Sequence, residues 1–239
     1  MKAIYPRLAF DGIRKNKRLY LPYILTCIGT VTMFYIIHHL AAMPALKSMP
    51  GGDSTTMILG MGFWVVAAFS LIFLVYTNSF LMRRRKKEFG LYNILGMGKK
   101  NLSLVLLFET LTVAAISVLS GIALGIALSK LAESGLVYMV NGKVSYKFTV
   151  NVDAVLDTLL IFGGIFLLLY LKSLISIWRL NAISLIKSEN TGEKPPRANY
   201  VLGIGGIILL AAAYYMAVSI KSPLLAIGWF FIAVLAVIV

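Results

Sequence analysis

Charge is scarce in this chain, and acidic charge scarcest. Nine Asp and Glu stand against 23 Lys and Arg, and together they make up 13% of the 239 residues, where a soluble domain carries roughly a quarter. With 59% hydrophobic residues, that deficit excludes an ordinary soluble fold and predicts an integral membrane protein. The single cysteine, Cys27, sits inside an apolar run, so a disulfide framework and a multi-cysteine metal site are both excluded, and an ordinary buried thiol is expected. The only two histidines, His38 and His39, are adjacent. Neighbours on a helix point about 100° apart and do not jointly face one metal, so anchoring at the membrane interface is expected instead. A phosphate-cradling loop of the type Gly-x-x-x-x-Gly-Lys-Ser/Thr is also missing: Gly98 precedes Lys99, but Asn93 and Lys100 stand at the other required positions. ATP hydrolysis by that route is excluded for these residues.

What is present is greasy sequence in long runs. Apolar segments of about twenty residues match a hydrocarbon core about 30 Å thick, and six occur, at residues 19–43, 57–82, 102–131, 154–171, 200–220 and 223–239. The net charge of +14 would suggest nucleic acid in a soluble chain; here it marks topology, and no nucleic-acid partner is expected. Lys2, Arg7, Arg14, Lys15, Lys17 and Arg18 precede the first run. Arg83 through Lys87, Lys99 and Lys100 follow the second, and Lys172, Arg179, Lys187, Lys194 and Arg197 follow the fourth. Only Lys47, Lys130, Lys143, Lys147 and Lys221 fall on the other side. The positive-inside rule then puts the N-terminus in the cytoplasm of a multi-pass protein of the plasma membrane. No small-residue cleavage site follows the basic start, so the first span is expected to be retained. The sixth run is expected to be incomplete, part of a longer polypeptide.

Several local patterns refine this layout. In residues 1–18, Arg7, Asp11, Arg14, Lys15 and Arg18 fall on one side of a helical wheel and Tyr5, Ala9 and Ile13 on the other, the pattern of a helix lying along the inner headgroups. The second and third spans exceed what a bilayer needs, at roughly 39 and 45 Å for about 26 and 30 residues. Gly121 and Gly125 form a small-residue pair four apart, which lets another helix approach closely. Asn141-Gly142, between strand-like arms over residues 136–148, has the composition of a tight hairpin turn, although a lone hairpin is only marginally stable and a plain connecting loop is expected. Among acids, Glu109 lies about 10 Å into the third span. It is a possible intramembrane functional acid, or a partner for Lys99, Lys100 or Arg179, while Asp153 and Asp157 need no special role.

The segment between the second and third spans carries the sharpest signal. As a helix, Glu88 to Lys100 spreads Phe89, Leu91, Tyr92, Ile94 and Leu95 over an apolar arc of about 220°, wider than the roughly 100° stripe of a one-sided surface helix. Such a segment must be covered on two sides. Gly90, Asn93 and Met97 form a narrow face open to close approach by another surface, and Gly96 and Gly98 are expected to end the helix and turn the chain. A short bar across the ends of two membrane helices is expected.

The stretch KEFGLYNILGMGKKNL resembles the signature of the FtsX-like permease domain, a basic-acidic-x-Gly sequence followed by apolar residues, Leu-Gly and a second basic cluster. LAFDGIRKNKRLYLPYILT is similar to that family's N-terminal entry and RLNAISLIKSE to its closing segment, apart from a missing proline; together the matches cover about residues 9–189. The resemblance implies an all-α polytopic bundle: an FtsX-like four-span unit at residues 19–189, a linker at 190–199, and two further spans at 200–239. It implies the non-catalytic membrane subunit of an ABC transporter whose partner, a cytoplasmic ATPase dimer, binds ATP and magnesium. Glu88, Phe89, Gly90, Leu91, Tyr92, Asn93, Ile94, Leu95, Gly96, Met97, Gly98 and Lys99 would then form the ATPase-coupling helix. Only about thirteen residues separate the first two spans, which resembles the front of the bacitracin-export (BceB-type) permeases. Those imply defence against cell-wall-directed peptide antibiotics or release of their lipid-linked target, and in some members a membrane histidine kinase as partner. An ion-coupled carrier using Glu109, or a sensor or scaffold without transport, remains open.

Overall fold

The computed structural model describes residues 4–47, 51–139, 150–179 and 200–219, and all regular structure among them is helical. The chain divides into two compact units, Met1–Ser188 and Glu189–Val239. The first holds α1 (Ile4–Lys15), α2 (Lys17–Ala41), the single turn α3 (Pro44–Lys47), α4 (Gly52–Ile94), α5 (Lys99–Met139) and α6 (Val152–Trp178); the second holds α7 (Tyr200–Ser219), twenty residues without a charge. Lys17–Ala41, Gly52–Lys86, Lys99–Tyr138 and Val152–Trp178 are long and apolar enough to cross a membrane. Residues 180–199 and 220–239, with the closing segment, the linker and the sixth run, lie outside the described residues. So does the turn at Asn141-Gly142, and the expected first strand arm is instead the last turn of α5, helical through Met139.

Helix α2 is the centre of the first unit. Its buried residues Tyr20, Tyr23, Cys27, Val31 and Phe34 recur every three or four positions, so one stripe runs its whole length. Against that stripe pack Leu74 and Leu81 of α4, Val113, Val118 and Ile122 of α5, and Phe162, Ile165, Phe166 and Leu169 of α6. Outward-facing leucines such as Leu119, Leu160 and Leu167 remain exposed, as a surface solvated by lipid rather than water allows. Cys27 is a free, fully buried thiol within the core.

Helices α4 and α5 have 43 and 41 residues, or about 64 and 62 Å of helix at 1.5 Å per residue, twice the apolar thickness of a bilayer. No break separates the second span from the expected bar. Glu88 to Ile94 are simply the last turns of α4, because nothing from Arg83 to Ile94 interrupts helical hydrogen bonding except the ordinary cost of Gly90. The helix stops by a Schellman closure: Gly96 takes φ +93°, its N–H donates to the Asn93 carbonyl at 3.1 Å, and the Met97 N–H donates to the Tyr92 carbonyl at 2.9 Å. Gly98 then opens α5, its carbonyl accepting from Asn101 and Leu102. At the other end of the bundle, the Asn151 side chain accepts from the Ala154 N–H at 3.1 Å and caps α6, a contact worth about 1 kcal/mol.

Candidate functional site

The basic residues at the tip of α4 divide by helix face. Leu74, Asn78, Leu81, Arg85 and Phe89 follow one another at three- and four-residue spacing, with Met82 and Gly90 beside them, and all are buried. Arg85 therefore points inward although its neighbours Arg83 and Arg84 are exposed. Its guanidinium meets the Glu109 carboxylate of α5 and the Tyr20 hydroxyl of α2, and its Nε donates to Glu88 Oε2 at 3.1 Å. Tyr20 donates to Glu109 Oε2 at 3.1 Å, and Asn16 Nδ2 donates to Glu88 Oε2 and to the Gly12 carbonyl, each at 3.2 Å. The rings of Tyr20 and Phe89 flank the guanidinium at 5.4 and 4.7 Å.

One network thus ties α1, α2, α4 and α5 together, and the ion pair at its centre is buried almost completely: Arg85 is 1% exposed and Glu109 2%, while the Glu88 carboxylate at its edge is partly exposed. Glu109 does not pair with Lys99, Lys100 or Arg179 as the sequence allowed. Its register along α5 sets it opposite Arg85, while Lys99 donates to the Trp178 carbonyl at 2.9 Å. Gly12 completes the arrangement, because a Cβ there would stand 2.8 Å from Glu109 Oε1. Helix α1 consequently lies against the protein, with Ala9 buried and Ile13 packed on the core, while Arg7, Arg14 and Lys15 stay exposed.

Beyond Arg85 the tip has two sides. Phe89, Tyr92 and Met97 join Met82, Leu102, Leu106, Tyr170 and Ile177 in a small core linking α4, α5 and α6. Leu91, Ile94 and Leu95 face outward at 56%, 54% and 75% exposure. Gly90 lies on the inward side, so the face expected to be open for approach at Gly90 is occupied within the chain. The open surface is the Leu91, Ile94 and Leu95 side.

The opposite end is built differently. Gly121 and Gly125 of α5 meet α2: a Cβ at Gly121 would come 2.6 Å from Val31 Cβ, one at Gly125 2.8 Å from Tyr35 Cδ1, and Thr32 donates to the Gly121 carbonyl at 3.0 Å. His38 Nε2 and Asp157 Oδ2 are 2.7 Å apart, joining α2 to α6, so Asp157 has a partner that the sequence did not suggest. His38 packs edge-on against Phe34 and Phe63, and His39, buried rather than interfacial, stacks on Tyr35. The described residues contain no group of three His, Cys, Asp or Glu side chains placed to hold a metal ion.

Comparison with known proteins gives this arrangement a context. Residues 60–185 match the family described as FtsX-like permease C-terminal. A Bacillus subtilis (strain 168) protein named as an uncharacterized ABC transporter permease, YvcS, is 27% identical over 217 residues, covering 90% of this chain and 34% of that protein. The bacitracin export permease BceB of the same organism is 26% identical over 88% of this chain and 33% of its own length, and the BceB protein of Halalkalibacterium halodurans 23% identical over the same shares. The chain spans about a third of the length of the curated relatives it matches.

Proposed function

This chain belongs to the FtsX-like permease family, and from that premise we propose that it is part of the membrane subunit of an ABC transporter, its α4 tip docking into a partner ATPase. The N-terminus and the basic end of the bundle would then lie in the cytoplasm. ATP and magnesium would be held by the ATPase dimer, with no catalytic step on these residues. The observation that carries the reading is the asymmetry of the tip: Phe89, Tyr92 and Met97 are clamped to α5 and α6 while Leu91, Ile94 and Leu95 stay uncovered. A projecting apolar edge with a fixed root can transmit displacement, because the root resists when the edge is pushed.

The relatives named for bacitracin export support a substrate class of cell-wall-directed peptide antibiotics, or of the lipid-linked molecules they seize. A membrane histidine kinase is a further partner of the same reading. Glu109 as an ion-coupling acid gains little support from its surroundings, since Arg85 and Tyr20 already hold its Oε2, and only Oε1 is without a hydrogen-bond partner among the described residues.

Burying each of the three uncovered side chains would contribute about 1.5–3 kcal/mol, so Leu91→Glu with Leu95→Glu should weaken association with the ATPase by about tenfold or more. Co-purification of the tagged permease with its ATPase measures this. Undiminished recovery of ATPase with a normally folded double variant would sink the docking assignment.

A further inference from the structure

Between the basic ends of α4 and α6 lies an open cleft of about 390 Å³. Its cations are Arg83 and Lys86 from α4 and Lys172 and Arg179 from α6, and no carboxylate lines it among the described residues. Arg85 makes the contrast, since Glu88 and Glu109 answer its charge. Helical spacing explains the convergence: Arg83 and Lys86 are three apart and Lys172 and Arg179 seven apart, so each pair shares a face. The floor is closed toward the core by a buried hydrogen bond from Asn78 Nδ2 to Ser173 Oγ, 2.8 Å long, and Met82 and Ile175 add apolar wall. Four cations without a carboxylate partner among the described residues repel one another unless an anion joins them.

The surroundings point to what kind of anion. Leu171 and Leu168, one and two turns from Ile175 toward the middle of the spanning segment, share its side of α6 and are exposed. Charge in the cleft and bare hydrocarbon above it match the two parts of one amphiphile. We propose that this cleft binds the phosphate ester of an anionic membrane phospholipid, its acyl chain lying along the Leu168 and Leu171 face. The site is separate from the α4 tip and does not depend on docking of an ATPase.

Trp178, exposed and adjacent to Arg179, is a built-in reporter. With every tryptophan of the protein other than Trp178 replaced by phenylalanine, Trp64 and Trp229 among them, and the protein reconstituted into vesicles, brominated phosphatidylglycerol should quench Trp178 more strongly than brominated phosphatidylcholine. Lys172→Gln and Arg179→Gln should each reduce that preference about fivefold. Both substitutions are at exposed positions, and retained helicity by circular dichroism verifies folding. Equal quenching by the two lipids, or a preference that survives the double substitution, overturns the proposal. Millimolar sn-glycerol 3-phosphate, compared with chloride at equal ionic strength, separates lipid from free ester. A preference that persists supports the lipid, and one erased by the soluble ester overturns it.

Discussion

The two ends of the bundle hold the same helices together by different means. At the basic end, the buried Arg85, Glu109 and Tyr20 and the part-exposed Glu88 form one network across α1, α2, α4 and α5. At the other, α2 meets α5 through bare glycine surfaces and meets α6 through the ring contact of Phe34 with Phe162 and the pair of His38 with Asp157, whose carboxylate is half exposed. A buried ion pair is all-or-none: with both partners present it is tolerated, and with one removed the other is stranded in a low-dielectric interior. A glycine contact and an exposed pair can yield gradually. The basic end is therefore the fixed one and the far end the adjustable one.

The largest test of that contrast removes one member of the network. Arg85→Ala leaves Glu109 buried without its cation and should cost about 3–5 kcal/mol, read as lost membrane accumulation or a lowered unfolding temperature. Adding Glu109→Leu to Arg85→Met should recover much of the loss. If Arg85→Ala alone is neutral, the basic end is not the fixed one. An intermediate effect is expected for Gly121→Leu, whose side chain would meet Val31 and the Ile28 carbonyl. Overpacking of that kind costs about 1–3 kcal/mol, and cysteine crosslinking between α2 and α5 should report a wider gap. The smallest belongs to Asp157→Asn. A half-exposed pair contributes about 1 kcal/mol or less, so the unfolding temperature should hardly move; a loss matching that of Arg85→Ala would erase the distinction between the ends.

Local features could be read from the sequence and distant pairings could not. The spanning segments, the small-residue face at Gly121 and Gly125, and the turn at Gly96 depend on neighbours within a few residues. Arg85 was hidden because a run of five basic residues reads as a solvated face. Its signal was the spacing from Leu81 to Phe89, which carries the buried stripe of α4 through the charge run. The expected bar misjudged continuity: the basic run does not separate it from the second span, and the helix stops only where expected, at Gly96 with its positive φ. Pairs such as His38 with Asp157 are 119 residues apart, and no local pattern announces them.

The uninterrupted course of α4 has a mechanical meaning. Arg85 divides it into a short arm of about nine residues reaching Ile94 and a long arm of about 33 reaching Gly52, roughly 14 and 50 Å at 1.5 Å per residue. Were an ATPase to displace the tip as proposed, with Arg85 as fulcrum, each ångström of travel there would become about 3–4 Å at the far end of α4, by the ratio of those lengths. A small stroke at one end would thereby be exchanged for a wide one at the other, at proportionally lower force.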